Sequence, residues 1–171
     1  ENCIIIDSES KRYSMCGVRI GFLVIRSQSL HNAAMLFAQA RLSPVLIGQI
    51  LATAAHNNDA EYINAVREEY TKRRNLLVEL LNEIPGVKCP TPKGAFYCVA
   101  ELPVEDADVF AQWLLEEFSD NGETVMVAPA SGFYSQPELG KKQVRIAYVL
   151  KSEDLKRSVE LLKLALEKYN K

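Results

Sequence analysis

The 171-residue sequence predicts an α/β chain in two parts: two strands with helices, joined by a long helix to an α+β domain built on an antiparallel sheet. Three observations carry this expectation. Apolar residues recur at three- and four-residue spacing over residues 60–84, the mark of one long amphipathic helix. Before that helix stand two apolar runs separated by a polar stretch, and after Pro85-Gly86 the pattern switches to alternating strand and helix periods. Residues 143–150 alternate strictly, with Val144, Ile146 and Tyr148 on one side and Arg145 and Ala147 on the other. The expected division is residues 1–58, a connecting helix over 59–84, and a small domain over 85–171.

The elements follow in order. Residues 3–7 form a continuous apolar run, which predicts a strand buried on both faces. A second strand is expected over 19–26 after a loop without helical pattern. A parallel return would need a crossover of a dozen or more residues, so the two strands are antiparallel if they pair. A helix is expected over 29–37, capped by Ser27 or Ser29, and Pro44 biases Ser43 away from helix. A second helix over 45–56, rich in Ala, Leu and Ile, is expected to be buried, with a break at Asn57-Asn58-Asp59. In the long helix Tyr62, Val66, Tyr70, Leu77, Leu80 and Ile84 recur on one side, and the charge run at 67–74 is a solvated face.

Beyond it, strands are expected over 87–89, 95–100 and 124–128. Asp106 can cap a helix over 107–118 that turns Val109, Phe110, Trp113, Leu114 and Phe118 inward. Ser152 is the expected cap of a final amphipathic helix burying Leu155, Val159, Leu162, Leu166 and Tyr169.

A formal net charge of −2 gives no electrostatic footprint for nucleic acid or an anionic membrane, so neither is an expected partner. No apolar run approaches the length of a membrane span. Cys3, Cys16, Cys89 and Cys98 are scattered without C-x-x-C spacing, which reads as reduced core thiols in a cytoplasmic setting rather than metal ligation. The chain begins directly in a strand, without a Met or a signal segment, and so reads as a piece of something longer.

The chemistry concentrates between the first two strands. A lysine past a strand is ordinarily a solvated cation, but Lys11 has Ser8 and Ser10 beside it as hydroxyl donors. Gly17 and Gly21 permit close backbone approach, and Arg19 offers a guanidinium fork suited to a phosphate. A lysine beside a phosphate-binding cluster is what a Schiff base with a phosphorylated aldehyde requires: the amine attacks, and the phosphate contacts hold the aldehyde carbon in place.

Ser8-x-Ser10-Lys11 followed by Gly17-x-Arg19-x-Gly21 resembles the pyridoxal-phosphate attachment motif of class I/II aminotransferases of fold type I. Pro92-x-Gly94-Ala95-Phe96-Tyr97 and Gln143-Val144-Arg145-Ile146-Ala147 are similar to the bacterial aspartate aminotransferase branch. The resemblance covers essentially the whole chain. It implies that the first part is the end of the large, cofactor-binding domain. It implies further that Lys11 carries pyridoxal 5'-phosphate covalently and shuttles the proton, with Ser8, Arg19 and, less directly, Ser10 on the phosphate. Arg145 would grip the substrate α-carboxylate. The implied reaction moves an amino group from an amino acid, aspartate by branch, to a 2-oxo acid, in a homodimer.

Arg41 lies near an arginine that the family uses across the subunit interface, but off its spacing, and otherwise reads as an interface or surface arginine. Phe96 and Tyr97 read as small-domain core. The family also places an Asp on the pyridine nitrogen, a Tyr on the ring oxygen and a stacking aromatic, all well upstream of the lysine. No such positions exist in this chain. It is therefore expected to be the C-terminal part of an aminotransferase, inactive by itself. The alternative is a non-catalytic phosphate-binding or self-associating domain, although Gly17-x-Arg19-x-Gly21 is neither a P-loop nor a dinucleotide fingerprint.

Overall fold

The computed structural model describes residues 3–57 and 59–171, without the side chain of Asp59. The chain divides into two compact units, Glu1–Val66 and Arg67–Lys171. The break expected at Asn57-Asn58-Asp59 lies partly outside the described residues.

In the first unit, β1 (Ile4–Ser8) pairs antiparallel with β2 (Gly21–Ile25), with Ile4 opposite Ile25 and Ser8 opposite Gly21. The stretch between them is not an irregular loop. Ser8 caps a single helical turn, α1 (Glu9–Arg12), by accepting from the Ser10 amide, and a 3-10 turn follows at Cys16–Val18. The strands are not buried as the apolar run suggested: Ile6 is 81% exposed, and Ile4, Ile5, Phe22, Leu23 and Val24 are also exposed. β1 has β2 as its only partner among the described residues, so both faces of the ribbon reach solvent.

Helix α2 (Gln28–Arg41) starts after Ser27, whose side chain makes no capping bond, and runs on to Arg41. Helix α3 (Leu46–His56) also departs from expectation: Leu46, Ile47, Ile50 and Leu51 are exposed, and only Gly48 and Ala52 are buried. Those two small residues, one turn apart, let the helix backbone close on the segment after the 3-10 turn. A Cβ at Gly48 would stand 2.7 Å from the Val18 carbonyl oxygen and 3.2 Å from Ile20. Helix α4 (Asp59–Asn82) crosses the boundary between the units.

The second unit holds the larger core. The C-terminal half of α4 contributes Leu77, Val78 and Leu81. Helix α5 (Ala107–Glu116) adds Phe110 and Leu114, and α6 (Ser152–Tyr169) adds Leu155, Leu162 and Leu166. Each such side chain contributes about 2 kcal/mol through burial. They pack with Cys98 and Ala100 of β3 (Tyr97–Glu101) and Val144 of β5 (Gln143–Ala147). With β4 (Ala128–Pro129), the sheet order is β3-β5-β4, all antiparallel.

Asp106 caps α5 as expected, accepting from the amides of Asp108 and Val109. Val109, however, is exposed, because it lies on the opposite side of the helix from Phe110 and Leu114. The strand expected at 87–89 reduces to one bridge, Lys88 with Glu101. That expected at 124–128 reduces to β4, because a tight Asp120–Glu123 turn with Asn121 and Gly122 at positive φ is followed by Thr124 donating its hydroxyl to the Leu114 carbonyl. Ser152 is the first residue of α6, not its cap: the Leu155 amide already donates to the Lys151 carbonyl.

Cys89 and Cys98 are buried free thiols, whereas Cys3 and Cys16 are exposed, the reverse of a core role. Cys98 packs against the Cys89 thiol in the core, and that contact together with burial pushes its own thiol well above the ordinary range.

Candidate active site

The turn carrying Lys11 is built from its own side chains. The Ser8 hydroxyl accepts from the Ser10 amide at 3.1 Å and reaches Ser10 Oγ at 2.9 Å and the Ile20 carbonyl at 3.3 Å. Asp7 accepts from the Ser8 amide and pairs with Arg12. Those two contacts hold the Asp7 carboxyl below the usual aspartate range. The neighbouring acid is thus neutralised within the turn.

Lys11 projects outward from this turn and is exposed. Arg19 sits in the left-handed region at φ 60°, an uncommon conformation for a side chain with a Cβ, and its guanidinium donates to the Cys16 carbonyl at 2.9 Å. Around Gly17 a Cβ would meet nothing within 4 Å, whereas at Gly21 it would meet the Asp7 carbonyl oxygen at 3.1 Å. The first unit therefore gathers two half-buried hydroxyls, an amine and a guanidinium within one strand-turn-strand segment. That donor set suits a dianionic phosphate with an aldehyde attached.

A residue of the same segment pairs with one from the end of α3, and neither is part of the motif. Glu9 is fully buried and accepts from His56 Nε2 at 2.8 Å, and its other carboxylate oxygen has no hydrogen-bond partner among the described residues. Nothing local announces this pair, since its members lie 47 residues apart.

Arg145 lies in the second unit, on the central strand β5, opposite Val99 on one side and Ala128 on the other. Its guanidinium stands 5.2 Å from the Tyr97 ring centroid and 4.7 Å from that of Phe133. No carboxylate pairs with it among the described residues. Two aromatic faces thus hold the fork in place. Tyr97 is accordingly exposed and touches Arg145 rather than filling the core, and only Phe96 packs against it. Arg41 is the last residue of α2 and exposed.

An amine in a hydroxyl-rich turn marks the first unit, and an arginine between two aromatic rings marks the second. Comparison with known proteins gives the family. The family described as aminotransferase class I and II matches residues 1–162. The chain is 33% identical to the aspartate aminotransferase of Bacillus subtilis over 99% of this chain and 42% of that protein. It is 31% identical to the aspartate aminotransferase of Pyrococcus horikoshii, over 98% and 42% respectively. The solved structure of an aromatic aminotransferase from Pyrococcus horikoshii superposes with a TM-score of 0.82 at 27% identity, covering 98% of this chain and 43% of that one.

The chain belongs to the class I and II aminotransferase family, whose members depend on pyridoxal phosphate. It spans about two-fifths of the length of the curated relatives it matches, 42% in both cases. Among the described residues no helix is long and apolar enough to cross a membrane.

Proposed function

We propose that this chain carries the amine anchor, phosphate grip and α-carboxylate arginine of an aspartate-type aminotransferase. The observation that supports it most is the capped turn Ser8–Arg12, with Lys11 projecting outward and Arg19 eight residues on. When bound, pyridoxal phosphate supplies an aldehyde for an amine to attach to and a ring that accepts the electron pair released at the substrate α-carbon. Ser8 and Ser10 hydroxyls and the Arg19 guanidinium hold its phosphate. Lys11 Nζ would be the attaching amine and would take and return the substrate α-proton. Arg145 binds the amino acid or 2-oxo acid through a bidentate pair on the α-carboxylate. Arg41 is a weaker candidate for the side-chain carboxylate, across a homodimer interface.

In this reading residues 1–58 are the end of the large domain, 59–84 the connecting helix and 85–171 the small domain. No residue of this chain is assigned to tuning the pyridine ring, and the 171-residue polypeptide by itself is expected not to turn over. The exposed apolar ribbon of β1 and β2 favours a second outcome for the isolated polypeptide, self-association. Titration with pyridoxal phosphate tests the proposal: an absorbance band above that of free cofactor should form and be lost in Lys11→Ala. Equal bands in both proteins contradict it.

A further inference from the structure

None of the residues proposed to touch the cofactor accounts for the fully buried Glu9. Glu9 precedes Lys11 by two residues and points the opposite way. In a helical turn, residues four apart share a face and residues two apart lie on opposite sides. Glu9 and Tyr13 both face inward here, and Lys11 faces outward.

The inward pair is anchored at several points. Glu9 Oε1 accepts from His56 Nε2 at 2.8 Å, at the C-terminal end of α3. The Glu9 amide donates to the Ile20 carbonyl at 3.2 Å, and the Tyr13 amide to the Glu9 carbonyl at 3.3 Å. The Tyr13 ring meets His56 edge-on at 5.5 Å and stacks on Tyr62 at 6.3 Å, while Phe22 of β2 flanks the same imidazole at 6.0 Å.

An apolar side chain at position 9 would fill this space without the cost of desolvating a carboxylate. What the carboxylate adds is direction. A hydrogen bond to a fixed imidazole sets the rotation of a four-residue turn that is too short to hold itself.

We propose that Glu9 and His56 form a clasp that positions Lys11, fixing the rotation of its turn and so the direction of its amine. This rests on the reading of Lys11 as the cofactor-attaching amine. Neither residue touches the ligand: both are positioning residues, acting through the backbone of α1.

The test uses the full 171-residue chain as wild type, Glu9→Gln, Glu9→Leu, His56→Leu and the Glu9→Leu/His56→Leu double variant. Two readouts are taken: amide hydrogen exchange at Glu9 and Tyr13, and the rate of borohydride trapping of pyridoxal phosphate on Lys11 across a concentration series. Glu9→Leu and His56→Leu should each speed exchange at the two amides and slow saturated trapping by roughly tenfold. Half-saturation should move less than the trapping rate, because of the three phosphate residues only Ser10 rides on the turn itself, Ser8 ending β1 and Arg19 following the 3-10 turn. Glu9→Gln, which keeps an acceptor for His56, should stay near wild type in both readouts. The double variant should be no worse than either single change.

Wild-type exchange and trapping in Glu9→Leu overturn the clasp, and so does a Glu9→Gln variant as impaired as Glu9→Leu. If a leucine variant fails to fold, Glu9→Gln and His56→Gln decide by the same two readouts. Trapping absent from every protein, wild type included, refutes the cofactor reading instead, and exchange alone then decides the clasp.

Discussion

Replacing Ser8 by Ala removes two things that other substitutions can separate. The Ser8 hydroxyl accepts from the Ser10 amide and caps the turn, and in the proposed function it also donates to the cofactor phosphate. Loss of a helix cap costs about 1 kcal/mol. Loss of a hydrogen bond to a charged group costs about 2 kcal/mol. Together, about 3 kcal/mol corresponds to a half-saturating concentration of pyridoxal phosphate raised roughly 140-fold. Pyridoxal, which lacks the phosphate, should report the cap alone, about fivefold.

Ser8→Asp separates the two roles. Aspartate caps as well as serine, so the turn persists, yet its charge opposes the phosphate, and the phosphorylated aldehyde should be rejected at least as strongly as in Ser8→Ala. Borohydride trapping followed by mass measurement across a concentration series gives all of these constants. A change below about threefold in Ser8→Ala, or Ser8→Asp binding the phosphorylated aldehyde better than Ser8→Ala, would refute the assignment of Ser8 to the phosphate.

Further expectations can be checked separately. Arg145→Lys keeps the charge but loses the fork between Tyr97 and Phe133; under the proposed function, equilibrium binding of an amino acid or 2-oxo acid should weaken roughly thirtyfold, about 2 kcal/mol. A thiol reagent should modify Cys3 and Cys16 quickly in the native chain and reach Cys89 and Cys98 only after denaturation. Leu162→Ala, in the core of the second unit, should lower stability by about 3 kcal/mol in urea unfolding. Asp7 has a carboxyl held low by the Ser8 amide and Arg12. Its contribution is therefore present above the unfolded aspartate value, about pH 4, and lost as pH falls through the lower folded one. Carboxyl NMR should show that midpoint rise in Arg12→Ala.

How much of this was legible in the sequence depended on whether the signal was local. Asp106 announced α5 because a cap acts on amides two and three residues away. The alternation around Arg145 gave β5 because a pleat imposes period two. Ser8, Ser10, Lys11 and Arg19 can be proposed from the sequence because their types and spacing lie in one short segment, but the helical turn that displays Lys11 leaves no mark there. Four residues are too few to show a helical period.

What failed depended on tertiary neighbours. The Ile4–Ile6 run has the composition of a buried strand, but burial is set by what packs on it, and the ribbon of β1 and β2 is open. The same holds for α3, where the two small residues found the contact and the large ones did not. Nothing in the sequence marks Glu9 as buried, because its partner comes from the far end of α3. Phe133 sits on a 3-10 turn between β4 and β5, with no periodicity to connect it to Arg145.

The proposed function stands or falls with Lys11 as the amine that takes the cofactor. The most direct measurement is reduction of the chain with borohydride in the presence of pyridoxal phosphate, followed by proteolysis and mass mapping of the modified peptide. One dominant adduct on Lys11 is expected, suppressed by inorganic phosphate through competition for Ser8, Ser10 and Arg19. Adducts spread evenly over the surface lysines, or a Lys11 adduct indifferent to phosphate, would contradict it.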